Sequence, residues 1–261
     1  MTQFSIVIPV FNEEHCLNAL WDHLGAVLRQ NGLESEIILA DDHSTDRTWE
    51  IIQSLNHLDA RIKGIRLAQH GGHQLAVFAG LQVSSGNTVI TMDGDLQHPP
   101  EKIPDLIRAW QNGSDLVYGF KTHQEGRGWF KKFLNHLFHQ LLSLRIGIAL
   151  HPDTSDFQIM DRSLVEKIKV SWRPSIFLRA WIHYRAQSRH GIPFQAERRY
   201  HGRTRHNFLS LLGLGLRSLI FFPSVQSDSP PPDQSAHWTR YYQIEAATGF
   251  DHKLCSNDAL L

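Results

Sequence analysis

Three short polar segments carry most of the side chains that could bind a ligand or take part in catalysis: residues 9–13, 41–46 and 93–98. Each segment contains acidic residues and follows an apolar run that is typical of a strand buried on both faces. The carboxyl ends of parallel strands meet at one edge of a sheet, and ligands bind there. We therefore expect the three segments to line one site.

The third segment holds the clearest chemical pattern, Asp93-Gly94-Asp95 followed by Gln97. Side chains at positions i and i+2 of an extended segment point the same way, so Asp93 and Asp95 are expected to aim their carboxylates at one spot. Carboxylates that close repel each other unless a cation lies between them. Oxygen ligands favour Mg²⁺ or Mn²⁺, which leaves coordination positions for phosphate groups. The sequence therefore predicts a divalent metal site at Asp93, Asp95 and Gln97.

Helix capping explains part of the second segment more simply, because Ser44 and Asp46 directly precede a helical pattern. Capping fits Asp93 and Asp95 poorly, since these residues end a buried strand. The His-Gly-Gly-His turn at residues 70–73 is compatible with a ligand-contacting loop and equally with a plain helix start.

Several other kinds of site lack their sequence patterns. The chain has neither a Gly-rich dinucleotide loop after its first strand, nor a Walker phosphate loop, nor a nucleophile elbow. Cys16 and Cys255 do not form a disulfide framework and favour a reduced, cytoplasmic setting. His136 and His139 fit a helix surface better than a metal site.

The elements that must position these segments alternate along the first half of the chain. Apolar runs predict strands at residues 4–10, 36–40, 64–67, 88–92 and 115–118, and helical spacing predicts helices at 17–28, 51–55, 73–83 and 100–110. This alternation implies right-handed crossovers and a mostly parallel sheet. Further on we predict helices at 129–144, 175–186 and 206–221, a strand at 195–200 and a linker at 226–236.

The charge of the chain is balanced overall but uneven along its length. Residues 1–161 hold 12 basic and 19 acidic side chains, a net −7, whereas residues 162–217 hold 12 basic and 2 acidic ones, a net +10. The acidic part argues against nucleic-acid binding, and the basic part favours a face that meets phosphates or lipid headgroups. A membrane-spanning helix is not expected, because the best apolar candidate, residues 208–225, is interrupted by Arg217 and Pro223.

Several ordered motifs resemble those of family 2 glycosyltransferases of GT-A fold. The resemblance is strongest to polyprenyl-phosphate glycosyltransferases, such as dolichol-phosphate mannose synthase and the bacterial undecaprenyl-phosphate glycosyltransferases. The motifs lie at residues 9–13, 40–46, 92–101, 155–162 and 199–205. The third of them reads Met-Asp-Gly-Asp-Leu-Gln-His-Pro-Pro-Glu, and the resemblance extends over residues 4–222, most of the chain.

This resemblance implies an α/β, GT-A (Rossmann-like) fold in which helices flank a mostly parallel sheet, with a C-terminal helical, interfacial extension. We expect a glycosyltransferase domain at residues 1–205, an apolar helix at the membrane interface at 206–225, and a proline-rich linker and tail at 226–261. A core helix packed on the domain is the alternative for the apolar segment.

The resemblance also assigns roles to residues. Asp93, Asp95 and Asp156 form the catalytic set, with the metal held by the first two and Gln97 close by. Asp156 is the acid of the sugar site; the alternative is an N-cap of a helix at residues 160–168. Arg127 is expected to hold the acceptor phosphate. The nucleotide-sugar is expected to contact Asp93, Asp95 and a further group: Pro9, Phe11, Glu13, Leu39, Asp41, Gly94, Lys121, Arg199 and Arg205.

The implied reaction is an inverting, Mg²⁺- or Mn²⁺-dependent transfer of a hexose from a UDP- or GDP-sugar to a polyprenyl phosphate. We expect a cytoplasmic protein that is peripheral at the cytoplasmic face of the membrane, with no nucleic-acid partner and with homo-oligomers left open. Two alternatives remain. One is a soluble family 2 enzyme with a saccharide acceptor, and the other is a weakly active or truncated nucleotide-sugar-binding subunit. Departures from the family at Gln69 and Asn135 favour the second.

Overall fold

The computed structural model describes residues 3–122, 140–144, 147–149, 151, 153–196 and 244–250. Its strands are β1 (Phe4–Val10), β2 (Ser35–Asp41), β3 (Ile62–Leu67), β4 (Thr88–Thr91), β5 (Leu116–Lys121), β6 (Thr154–Asp161), β7 (Arg189–Phe194) and β8 (Ile244–Thr248). Its helices are α1 (Leu17–Gln30), α2 (Thr48–Leu58), α3 (His73–Val83), α4 (Ile103–Gln111), α5 (Arg162–Ser171) and α6 (Leu178–Arg185). A 3₁₀ turn at Pro100–Lys102 leads into α4, and residues 140–144 are helical.

The strands form one sheet in the order β7-β5-β6-β4-β1-β2-β3-β8. Strands β3, β2, β1 and β4 run parallel to one another, as the alternation of strands and helices predicts. Strand β6 enters between β4 and β5 and is antiparallel to both. This insertion brings β6 beside the strand that leads to Asp93.

Both faces of the sheet are covered, which explains the uninterrupted apolar runs. Every residue of β1 is buried, and its side chains alternate between two core clusters. Phe4, Ile6 and Ile8 pack with α1, α2 and α4, whereas Val7 packs with α3, α5 and α6. A strand between two helical layers needs apolar side chains on both faces, so it does not show the alternation of a half-exposed strand.

The predicted α/β architecture is confirmed, together with the strands and helices of the first 120 residues. Strand β7 lies at Arg189–Phe194, before the predicted strand at 195–200; residues 195 and 196 have no regular structure, and residues 197–200 lie outside the described residues. The predicted helix at 206–221 and the linker at 226–236 lie outside the described residues. Within the described part of the chain, no helix has the length and apolar character needed to cross a bilayer.

Candidate active site

The loops that follow β1, β2 and β4 share an unusual backbone feature. Each contains a non-glycine residue with positive φ: Asn12 at 53°, His43 at 61° and Leu96 at 62°. Side chains with a Cβ rarely adopt this conformation, and such residues concentrate where surrounding structure holds a loop for function. Within the described residues these are the non-glycine positions of this kind, so the sequence-predicted site coincides with the strained loops.

Hydrogen bonds join the first loop to the second. The N–H of Asn12 donates to Ser44 Oγ at 2.8 Å, and Asn12 Oδ1 accepts from the N–H of Thr45 at 2.7 Å. The N–H of Glu13 donates to Thr48 Oγ1 at 2.8 Å, at the start of α2. Asp46 Oδ1 accepts from the N–H of Thr48 at 3.0 Å, which is the kind of structural role expected for that residue. The two loops therefore act as one unit.

Asp41 ends β2 and is fully buried. Its Oδ1 accepts from the N–H of Ser44 at 3.0 Å, and its Oδ2 lies 3.5 Å from Arg66 Nε. Neither Asp41 Oδ2 nor Arg66 Nε makes a hydrogen bond within the described residues. Burial raises the pKa of Asp41, although Ser44 and Arg66 oppose that rise. A buried acceptor of this kind fits a ligand that donates an N–H.

Three other residues expected to contact the nucleotide-sugar lie at or near the ends of β1 and β2. Phe11 stacks on His70, with 4.3 Å between the ring centroids. Pro9 belongs to the buried strand β1. Leu39 is 3% exposed and packs in the core cluster shared with α1 and α2.

The turn at residues 70–73 is held by Asp42, a residue to which the sequence assigned no role. The Asp42 carboxylate accepts from the N–H of Gly71 at 2.7 Å and from that of Gly72 at 2.8 Å, and it lies 2.9 Å from His70 Nδ1. Burial raises the pKa of Asp42, although the two N–H donors and His70 act in the opposite direction. The turn leads into α3, which begins at His73, so the helix-start interpretation of this motif is confirmed, and contact with a ligand stays a prediction.

The backbone of Asp93 is fixed by His98, whose importance the sequence did not reveal. The N–H of Asp93 donates to His98 Nδ1 at 2.9 Å, and His98 Nε2 lies 3.6 Å from Asp93 Oδ2. His98 is fully buried and stacks on Phe157. Burial lowers the pKa of His98, so the ring is neutral and the accepting Nδ1 leaves the proton on Nε2. The presence of His98 inside the motif at residues 92–101 is the sequence signal that could have indicated this role.

Gln97 links the turn after Asp93 to β5. Asp95 is 7% exposed, and its Oδ1 accepts from the N–H of Gln97 at 3.1 Å. Lys121 Nζ donates to Gln97 Oε1 at 3.2 Å. A Cβ on Gly94 would lie 2.9 Å from Val10 Cγ1, so the turn packs closely against the end of β1. The structure thus brings Asp95, Gln97, Gly94 and Lys121 together.

Asp156 lies within β6, so its alternative role as a helix N-cap is wrong. The N-cap of α5 is Asp161, whose carboxylate accepts from the N–H of Ser163. Two contacts of Asp156 are with Arg179 of α6, Nε to Oδ1 at 2.7 Å and Nη2 to Oδ2 at 2.6 Å. A third comes from His73 Nε2, 3.0 Å from Oδ2.

The charges of this cluster determine its protonation. Burial disfavours the Asp156 carboxylate, but Arg179 and His73 outweigh it and hold the pKa of Asp156 well below its usual range. Burial also disfavours the charged ring of His73, yet the hydrogen bond from His73 to Asp156 and the charge of Asp93 raise the pKa of His73 to about 9. Asp156 is therefore a weak base at neutral pH.

A group of possible metal ligands lies at the centre of the site. Atoms of His73, Asp93 and Asp156 lie within 4.8 Å of one another. Asp93 Oδ1 is buried, and within the described residues it accepts no hydrogen bond, although His73 Nε2 lies 3.7 Å away. Such a carboxylate oxygen fits a divalent ion. His73 would first have to lose its proton, so Asp93 is the better ligand of the two.

Three residues expected at the site, Arg127, Arg199 and Arg205, lie outside the described residues.

Comparisons with known proteins agree with this geometry. The sequence profile described as "Glycosyl transferase family 2" matches residues 5–169. The "Uncharacterized glycosyltransferase sll0501" of Synechocystis sp. is 34% identical over 223 residues, which cover 84% of this chain and 69% of that protein. The "Prophage bactoprenol glucosyl transferase homolog" of Escherichia coli is 29% identical over 220 residues, 84% of this chain and 72% of that protein.

A solved structure shows the same fold at lower sequence identity. It is glucosyl-3-phosphoglycerate synthase from Mycobacterium tuberculosis, in complex with Mn²⁺, uridine diphosphate and glucosyl-3-phosphoglycerate. The TM-score is 0.59 at 21% identity, and the match covers 84% of this chain and 78% of that one. With the family profile matched over more than half of its length, the chain belongs to glycosyl transferase family 2 and is a glycosyltransferase of GT-A fold.

Proposed function

We propose that this glycosyltransferase moves a hexose from a nucleotide-diphosphate sugar to a polyprenyl phosphate, with inversion at the anomeric carbon. The observation that carries the proposal is the state of Asp156. A hydroxyl acceptor needs a carboxylate or another base to take its proton. A phosphate acceptor already carries negative charge at neutral pH and needs none.

Asp156 is poorly suited to act as that base. Arg179 and His73 occupy both of its oxygens, and its pKa lies well below the usual range. An anionic acceptor would instead profit from the positive side chains around Asp156. The Escherichia coli relative, named a bactoprenol glucosyl transferase homolog, supports the same class of acceptor.

The donor half of the site supports a nucleotide-diphosphate sugar. Lys121 donates to Gln97, whose N–H donates to Asp95, and its charge there would offset the negative charge that builds up on the leaving diphosphate. Asp93, whose buried Oδ1 lies in the group with His73 and Asp156, would hold a divalent ion, and we propose Asp95 as its second ligand with Gln97 close by. When bound, such an ion supplies Lewis-acid stabilisation to the leaving group. Arg199 and Arg205 are proposed to contact the donor phosphates, and Arg127 the acceptor phosphate.

We place the reaction at a membrane surface on the grounds of charge. The basic segment around residues 198–205 is followed in sequence by the apolar residues 206–225, a pattern that is typical of a headgroup-binding patch and an interfacial helix. A polyprenyl phosphate presents its phosphate at the level of the lipid headgroups, where such a patch and helix would lie. Recovery of the intact chain on floated anionic liposomes would support this part of the proposal, and recovery in the soluble fraction alone would contradict it.

Product analysis tests the acceptor. The purified chain is given radiolabelled UDP-glucose or GDP-mannose with Mn²⁺, and either undecaprenyl phosphate in detergent or a mixture of soluble oligosaccharides. We expect label in the lipid extract, in a product that mild acid releases as free sugar. Asp95→Ala should abolish transfer, whereas Asp59→Asn, in an ion pair on the chain surface, should leave it unchanged. Label found in oligosaccharide alone would overturn the proposal.

A further inference from the structure

The last described strand, β8, returns to the sheet beside the loops of the donor site. It pairs antiparallel with β3, which would otherwise be the edge strand. The register is irregular at one point: Arg66 faces Ala246 and Leu67 faces Ile244, so Glu245 is the extra residue of a bulge. Bulges redirect a side chain and are frequent next to active sites.

The bulge turns Glu245 towards two cationic or polar side chains at the carboxyl edge of the sheet. Glu245 Oε2 lies 3.5 Å from His43 Nδ1 and 3.9 Å from Arg66 Nε. His43 is the residue with positive φ in the loop after β2. Glu245 therefore lies close to His43, two residues after the buried Asp41, and to Arg66, which pairs with Asp41 across the sheet.

Arg66 lies between the carboxylates of Asp41 and Glu245, and its position determines which of them it pairs with. Its Nη2 donates to the carbonyl of Ser44 at 3.0 Å, while its Nε lies 3.5 Å from Asp41 Oδ2 without forming a hydrogen bond. If the charge of Glu245 were removed, Arg66 could move the short distance to Asp41 and pair with it fully. That pairing would occupy the Asp41 oxygen that is otherwise available to a ligand.

The strand that carries Glu245 is anchored at its far end by close contacts. Thr248 Oγ1 lies 2.8 Å from Asn56 Oδ1, and Lys63 Nζ lies over the ring of Phe250. Gly249 has φ at 78°, and a Cβ there would lie 2.5 Å from Asn56 Nδ2 and 2.9 Å from the carbonyl of Ile62. Only glycine fits this position without a shift of the backbone.

We propose that Glu245 is a positioning residue of the nucleotide pocket: it holds Arg66 so that Asp41 Oδ2 stays available to an N–H of the donor base. This inference rests on the proposed donor class, a nucleoside diphosphate sugar. Glu245 itself touches neither the donor nor the reacting atoms. The C-terminal strand thereby becomes part of donor binding.

The first test measures binding of UDP and of GDP to the full chain by calorimetry with Mn²⁺. Glu245→Gln should lower the affinity for the nucleotide that the wild type binds by about two- to fivefold. A half-exposed ion pair is worth at most about 1 kcal/mol. The effect should shrink in high salt, since an exposed pair is screened. Glu166→Gln, in an ion pair of similar exposure on α5, should change nothing.

Two further measurements separate positioning from bulk electrostatics. Inorganic pyrophosphate lacks a base, so its affinity should be the same in Glu245→Gln and in the wild type. In an Arg66→Met background, Glu245→Gln should have no further effect on nucleotide affinity, because the residue acts through Arg66. If Glu245→Gln instead raises the affinities for nucleotide and for pyrophosphate equally, Glu245 only repels anions and the inference is overturned.

The role of the strand is tested by Gly249→Ala, with Gly32→Ala as the control. Gly32 also has positive φ, at 61°, but a Cβ there meets nothing within 4 Å. Gly249→Ala should speed hydrogen exchange of the β3 amides and weaken nucleotide binding as Glu245→Gln does. Unchanged nucleotide affinity in both Glu245→Gln and Gly249→Ala, with wild-type binding intact, overturns this inference alone. A wild type that binds neither nucleotide overturns the proposed function as well.

Discussion

The guanidinium of Arg179 closes on the carboxylate of Asp156 through two hydrogen bonds, from Nε at 2.7 Å and from Nη2 at 2.6 Å, while Nη1 donates to the carbonyl of Thr154 at 2.8 Å. This arrangement joins α6 to β6 and also fixes the partner of His73. A carboxylate so enclosed contributes through its charge and position rather than by accepting a proton.

Asp156→Asn should therefore destabilise the protein strongly. Removing one partner of a largely buried ion pair leaves the other uncompensated, at a cost of up to about 3–5 kcal/mol in the free energy of unfolding. Urea denaturation measures the change. In the double variant with Arg179→Met the loss should be clearly smaller than the sum of the single losses. Glu50→Gln, in the exposed pair with Arg47, should cost about 1 kcal/mol or less.

The same variant tests the absence of a base role in catalysis. If Asp156 took a proton from the acceptor, Asn would remove the acidic limb of the pH–rate profile. We expect the rate with a lipid phosphate to fall while the shape of the profile between pH 6 and 8 stays the same, since Asp156 is ionised throughout that range. A limb that disappears in Asp156→Asn would show that the residue is a base.

His98→Phe should weaken the support of Asp93 while keeping the aromatic stack on Phe157. The N–H of Asp93 would lose its acceptor, and an unsatisfied buried donor costs about 1–3 kcal/mol. We expect a lower urea midpoint and a lower affinity for Mn²⁺. Electron paramagnetic resonance of the free ion measures that affinity. His57→Phe on the exposed surface of α2 is the control, and an equal loss of Mn²⁺ affinity there would rule out a specific role for His98.

His73 should make the stability of the metal-free protein depend on pH. Its pKa is raised from 6.5 to about 9 in the folded protein. The stabilising contribution is therefore complete below pH 6.5 and is lost as the pH rises through about 9. Thermal unfolding in a chelator, between pH 6 and 10, should show a decline in this window that is absent from His73→Gln. An identical decline in the variant would assign the effect to other groups.

The sequence indicates which side chains carry the chemistry of this site, but not the tertiary contacts that hold them. Acidic segments at strand ends located Asp41, Asp93 and Asp95, because a run of buried strand followed by acids has few structural explanations. The contacts of Asp156 with Arg179 and His73 join elements that lie far apart in the chain, and no local pattern encodes them.

Strand β6 shows the same limit. Its sequence, Thr-Ser-Asp-Phe-Gln-Ile-Met-Asp, mixes polar residues with apolar ones, so the sequence indicates a family motif and a helix start there but no strand. Its place between β4 and β5 depends on antiparallel pairing with both strands. Burial of Gln158 and Ser155 within the sheet follows from that tertiary pairing, which propensity alone does not specify.

Gly94→Ala should be destabilising in this chain. The added Cβ would lie 2.9 Å from Cγ1 of the buried, β-branched Val10, and overpacking of this kind costs about 1–3 kcal/mol. Val10→Ala in the same chain should restore part of that loss by providing space. Chemical denaturation of the single and double variants measures both effects. A double variant less stable than the sum of the two single losses would contradict the steric explanation.

The central claim is that sugar is transferred to the phosphate of a polyprenyl chain. Phosphorus NMR of a reaction with Mn²⁺, the nucleotide-sugar and undecaprenyl phosphate tests it most directly. The account predicts that the phosphate monoester resonance is replaced by a phosphodiester resonance as nucleoside diphosphate accumulates. Consumption of the donor while the monoester resonance remains unchanged would contradict it.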